Sequence, residues 1–108
     1  MHETDALAAL AALSQNARLR VFRALLGAGP QGMTPSTLGA MLDIPGSTLS
    51  FHLKELVQAG LVSAEREGRH LHYRPQMARM DALIAYLTDH CCLGEPCLPS
   101  VKKQTLRC

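Results

Sequence analysis

The sequence predicts a mainly α domain with one small β-hairpin (α+β), and three observations carry that expectation. Apolar residues recur at helical spacing along most of the 108-residue chain. The period drops to two between Leu61 and Arg74, on either side of Gly68-Arg69. Two short helical patterns meet at a turn of only three residues, 44–46, as in a helix-turn-helix.

Taken in order, residues 5–13 are Ala and Leu after the opening Asp5, with Leu7, Leu10 and Leu13 at helical spacing. So apolar a helix is expected to be buried on more than one side. Asn16 is positioned to cap a second helix over residues 17–26. There Leu19, Phe22 and Leu26 would form the inner stripe, with Arg18, Arg20 and Arg23 pointing elsewhere. Gly27, Gly29, Pro30 and Gly32 make a loop. Thr34 and Pro35, a cap followed by a first-turn proline, then start a third helix carrying Leu38, Met41 and Leu42.

Residues 44–60 form the helix around which the rest is organised. Leu49, Leu53, Leu56 and Val57 fall at i, i+4, i+7 and i+8, one apolar stripe. Ser47, Thr48, Ser50, His52 and Lys54 occupy the remaining face, and Pro45 and Gly60 mark the ends. Hydroxyls, an imidazole and an ammonium on a helix with a firm apolar back suit a DNA major groove, where they meet base edges and phosphates. The alternative for His52 is packing against the hairpin to fix the orientation of the helix.

Strands over residues 61–67 and 70–74 make the hairpin. Arg66, Arg69, His70, His72 and Arg74 there outnumber Glu65 and Glu67, and Arg66 and Arg69 are the expected phosphate contacts. Pro75 ends the second strand. A last helix is expected from about Met77 to the cysteines, with Met80, Leu83, Ile84 and Leu87 on its apolar face. Gly94 and Pro96 are stop signals. The expected division is a winged helix-turn-helix domain over residues 1–93 and a cysteine-containing tail over residues 94–108.

Composition narrows the function classes. A hydrophobic content of 47% supports a small core that a partner subunit would help to close. The net charge of +2 permits a polyanion partner without demanding one. No apolar run of about 18 residues predicts a membrane span. The acidic start, Met-His-Glu-Thr-Asp, is unlike a signal peptide and points to the cytoplasm, where cysteines serve as thiols or metal ligands rather than disulfides. No paired carboxylates, nucleophile with base, or phosphate loop suggests an enzyme.

Three blocks resemble the ArsR/SmtB family of metal-responsive bacterial repressors: Asn16-Ala-Arg-Leu-Arg-Val-Phe-Arg-Ala-Leu-Leu, Ser50-Phe-His-Leu-Lys-Glu-Leu-Val-Gln-Ala-Gly-Leu-Val and Arg66-Glu-Gly-Arg-His-Leu-His-Tyr. The resemblance covers about residues 5–92. It implies a homodimer joined through its first and last helices, with one recognition helix per subunit entering successive major grooves of an inverted repeat in double-stranded DNA. Half-sites about 34 Å apart are the geometry such dimers share.

Cys91, Cys92 and Cys97 place three thiols within seven residues. Cys91 continues the expected stripe of Met80, Ile84 and Leu87 and has a packing explanation, but Cys92 and Cys97 do not. Thiolates select soft ions, and three sulfurs without an obvious fourth suit the trigonal pyramid of trivalent arsenic (arsenite) or antimony. The chain departs from two family patterns. The helix before the recognition helix carries no cysteine pair, and Asp81 and His90 do not share a face. What remains resembles the arsenic-responsive subgroup with cysteines at the end of the last helix. Cys108 is read as a bystander and His90 as solvated. The rival readings are a thiol-redox or a cadmium- or zinc-responsive repressor on the same fold, and a thiol-rich metal-binding adaptor protein.

Overall fold

A computed structural model describes residues 1–89. Five helices and a hairpin follow in the expected order: α1 (Glu3–Leu13), α2 (Asn16–Ala28), α3 (Pro35–Leu42), α4 (Gly46–Gln58), β1 (Val62–Glu67), β2 (His70–Pro75) and α5 (Met77–Leu87). His90, Cys91, Cys92, Cys97, Cys108 and the whole expected tail lie outside the described residues.

The core is built on α2, which packs against α1, α3, α4 and β2. Val21, Phe22 and Leu25 of α2 meet Leu38 of α3, Leu49, Leu53 and Leu56 of α4, Leu61, Val62 and Leu83, all buried. These residues set the inward side of α2 at positions 21, 22 and 25, with Arg18 half-buried beside them. Of the expected stripe only Phe22 is buried, while Leu26 is half-buried and Leu19 exposed.

α1 also turns the other way from expectation. Ala6, Ala9 and Ala12 are buried, whereas Leu7 and Leu10 are 57% and 39% exposed. Small side chains at that spacing let α1 approach α2 and α4 closely. The leucines are left on the outside, so the helix is buried on one side only within the protomer.

Local chemistry explains the boundaries. Gln15, not Asn16, caps α2, because its longer side chain reaches the third backbone N–H, and its Oε1 accepts from Arg18 N at 2.9 Å. Thr34 caps α3 as its sequence suggests, accepting from Thr37 N at 3.4 Å. α3 ends at Asp43, whose φ of 56° places a non-glycine residue in the left-handed region. Its short polar side chain tolerates that conformation. Met41 of α3 and Val57 of α4, both expected inside, are exposed.

The hairpin registers Val62 with Pro75 through Glu67 with His70, turning at Gly68, whose φ is 64°. Met33 pairs with Tyr73 through reciprocal backbone hydrogen bonds of 3.0 and 2.8 Å, tying the loop before α3 to β2. The last helix is shorter than expected. α5 ends at Leu87, and the Thr88 hydroxyl donates to the Ile84 carbonyl at 2.8 Å. The apolar stripe expected to continue to Cys91 therefore stops at Leu87 among the described residues. Leu83 is buried and Met80 and Ile84 half-buried, while Leu87 is exposed. Among the described residues no helix is long and apolar enough to cross a membrane.

Candidate nucleic-acid interface

Gly39 brings α3 and α4 together. A Cβ there would stand 3.1 Å from the Ile44 carbonyl oxygen and 3.6 Å from Leu49 Cδ2, so the missing side chain lets the turn fold tightly over α3. Leu49, Leu53 and Leu56 then anchor α4 by its back. Its front presents Ser47, Thr48, Ser50 and Lys54, all exposed, in agreement with the expected polar face. Pro45 at the N-cap supplies no side-chain cap, so the first-turn N–H groups remain open to an outside acceptor.

Phe51 stands on the same front and is 55% exposed. Sequence reasoning passed over it because aromatic residues are ordinarily assigned to the core. Its position four residues after Ser47 and three before Lys54 was the signal that it belongs to the polar face.

His52 is the exception among the expected contacts. It is 6% exposed and faces inward, with Nδ1 3.4 Å from Arg18 Nη1. Arg18 also donates from Nε to the Ala12 carbonyl at 2.8 Å. A guanidinium has only donors, so Nδ1 accepts and the ring proton sits on Nε2 in the neutral tautomer. The expected groove contact gives way to an interior one, and the packing partner is Arg18 of α2, not the hairpin. Burial, with the Arg18 charge second, pushes the His52 pKa below its ordinary 6.5, against a smaller opposing pull from Glu55.

The sign of the resulting pH dependence follows from proton uptake. Below about pH 6.5 the unfolded chain takes up a proton at His52 that the folded chain resists, so this contribution to stability is complete above that pH and lost as pH falls. The difference in urea-unfolding free energy between the native chain and a His52→Gln chain is expected to shrink from pH 7.5 to pH 5.5, with a slope below the one-proton ceiling of about 1.4 kcal/mol per unit.

The hairpin sorts its charges by face. Glu65 bonds Arg74 at 2.7 Å, while Glu67 lies 3.4 Å from His72 and 3.6 Å from Arg74. Arg74 and His72, which the sequence placed on the wing, are thus engaged internally. Arg66 and Arg69 are exposed and make no ion pair among the described residues. They lie on and beside the Gly68 turn. Among the described residues no group of three His, Cys, Asp or Glu side chains is placed to hold a metal ion.

Known proteins share this fold. A family model described as a helix-turn-helix domain matches residues 13–63. A Halobacterium salinarum protein, named as the putative arsenical resistance operon repressor ArsR, is 33% identical over 78 residues, 72% of this chain. The match spans 59% of that relative's length. An ArsR-like transcriptional regulator from Rhodococcus sp. RHA1 superposes with a TM-score of 0.69 at 27% identity, over 78% of this chain and 76% of its own. A Mycobacterium bovis transcriptional regulatory fragment is 30% identical over 80% of this chain and 94% of its own, with a TM-score of 0.60. A solution structure from the same organism, described as a homodimeric winged helix-turn-helix DNA-binding domain of a possible ArsR-family transcriptional regulator, gives 0.62 at 27% identity over 82% of both chains.

Proposed function

The chain belongs to the ArsR family of winged helix-turn-helix transcriptional regulators, and from that premise we propose that it is a homodimeric repressor acting in the cytoplasm, released from its operator when trivalent arsenic or antimony binds Cys91, Cys92 and Cys97. The observation that carries the DNA-binding half is the exposed front of α4, with Ser47, Thr48, Ser50 and Lys54, beside the exposed Arg66 and Arg69 of the wing. Hydroxyls and ammonium reach base edges and phosphates, while the two guanidinium groups neutralise backbone charge.

The homodimer is supported by the outward leucines. Leu7 and Leu10 of α1 and Tyr86 and Leu87 of α5 are exposed on two helices that pack against each other. A patch of this kind marks an interaction surface.

The three thiols form a soft donor set that fits a trivalent thiophile and would supply three sulfur bonds to it. Release requires only that inducer and DNA favour different arrangements of the dimer, and by linkage DNA weakens inducer binding by the same factor. The chain offers one physical route. Arg18 joins the Ala12 carbonyl of α1 to His52 on the back of α4, so a shift of the α1 and α5 surface is felt by the recognition helix.

DNA binding is tested by fluorescence anisotropy on a duplex from upstream of the protein's own gene. An Arg66→Ala, Arg69→Ala double variant should bind more weakly to that duplex and to unrelated ones. The slope of log K against log salt should fall by about 0.9 for each phosphate that the variant no longer neutralises. An unchanged slope would remove the wing from the interface.

A further inference from the structure

We propose that Phe51 reads the 5-methyl group of thymine in the major groove and so supplies sequence discrimination that the polar residues of α4 do not. The inference rests on the DNA-binding reading given above and adds to it the chemistry of one base contact.

Ser47, Thr48 and Ser50 carry hydroxyls that both donate and accept, so by hydrogen bonding they satisfy either kind of base edge and discriminate weakly, and the one methyl of Thr48 offers far less apolar surface than an aromatic ring. Lys54 is a point charge that serves phosphate as well as base. His52 is turned inward against Arg18 and is withdrawn from the front. That leaves Phe51, more than half exposed on the same front.

Its ring meets the His52 ring edge at a centroid distance of 5.6 Å and an interplanar angle of 60°, a contact that leaves much of the aromatic surface uncovered. In a major groove the base-edge group that complements an apolar ring is the thymine methyl. Against the edges of guanine, adenine or cytosine the same ring would cover donors and acceptors without replacing their hydrogen bonds.

The test separates the methyl from everything else about the base. A duplex is selected by the full-length protein from a randomised pool and then prepared with thymine or with deoxyuracil throughout, which keeps every Watson–Crick bond and removes only the methyls. The native protein is expected to bind the uracil duplex about fourfold more weakly for each methyl contacted, the value of burying one methyl-sized group. Restoring thymine at one position in each half-site should recover most of the loss.

Phe51→Ala is expected to bind the thymine and uracil duplexes alike, and Phe51→Leu to keep part of the preference. Because Phe51 is exposed, the Phe51→Ala protein should retain its helical circular dichroism. Equal binding of both duplexes by the native protein would overturn the proposal while leaving DNA binding intact. So would a Phe51→Ala variant that still prefers thymine. Failure to select or bind any duplex would overturn the DNA-binding reading and this proposal together.

Discussion

Replacing Cys91, Cys92 and Cys97 by serine is expected to leave operator affinity within about twofold of the native value and to abolish release by arsenite. The substitutions lie outside the helix-turn-helix and the wing, and serine is close to cysteine in size, so the recognition surface is untouched. A hydroxyl does not replace a thiolate for a soft centre. Allosteric couplings of about 1 to 3 kcal/mol correspond to shifts of about 5- to 150-fold, and that is the change arsenite should cause in the native protein and not in the variant. Titration of a labelled upstream duplex with each protein, with and without arsenite, reads both quantities. Full release of the triple variant would remove these cysteines from the effector site.

Leu7→Glu with Leu10→Glu should convert the dimer to a folded monomer and lower operator affinity more than a hundredfold. Both side chains point away from the protomer core, which is closed on that side by Ala6, Ala9 and Ala12. The helical circular dichroism should therefore persist. Burying one leucine contributes about 1.5–3 kcal/mol, and two-fold symmetry counts each substitution twice. The new carboxylates would in addition have to leave water without partners. A monomer engages a single half-site and loses the joint contribution of the second. Sedimentation velocity at micromolar protein gives the assembly state, and anisotropy on the same samples gives the affinity. A dimer that survives both substitutions would move the interface away from α1.

Much of the fold was legible because the strongest signals are local. The stripe of Leu49, Leu53 and Leu56, the Thr34-Pro35 start and the Gly68 turn each specify a local conformation, and each appears as expected. The faces of α1 and α2 were not legible, for a physical reason. Alanines and leucines both repeat at i, i+3 and i+6 in α1, and hydropathy favours burying the larger. In the protomer close approach of helices wins, so the alanines go in, Leu7 and Leu10 come out, and Leu13 packs partly against the core.

His52 was misassigned for a related reason. Its periodicity allowed either face, and only the three-dimensional position of Arg18, 34 residues away, decides which it takes. The same geometry that removed His52 from the expected contact set brought Phe51 into view. Ser47, Thr48, Ser50, Lys54, Arg66 and Arg69 stand exposed as the sequence suggested. The cysteines lie outside the described residues, so it is their donor chemistry and spacing in the sequence that point to the inducer.

A repressor that gives up its DNA to a trivalent thiophile can be tested in one titration. Arsenite, antimonite, cadmium and zinc, each under reducing conditions, and peroxide without reductant are added to a complex of the native protein with a fluorescent duplex from upstream of its gene. Tight binding lost with arsenite and antimonite and kept with the other additions is the expected result. Loss with cadmium, zinc or peroxide and retention with both metalloids would contradict the proposed inducer, and no binding to the duplex at all would contradict the proposed repressor itself.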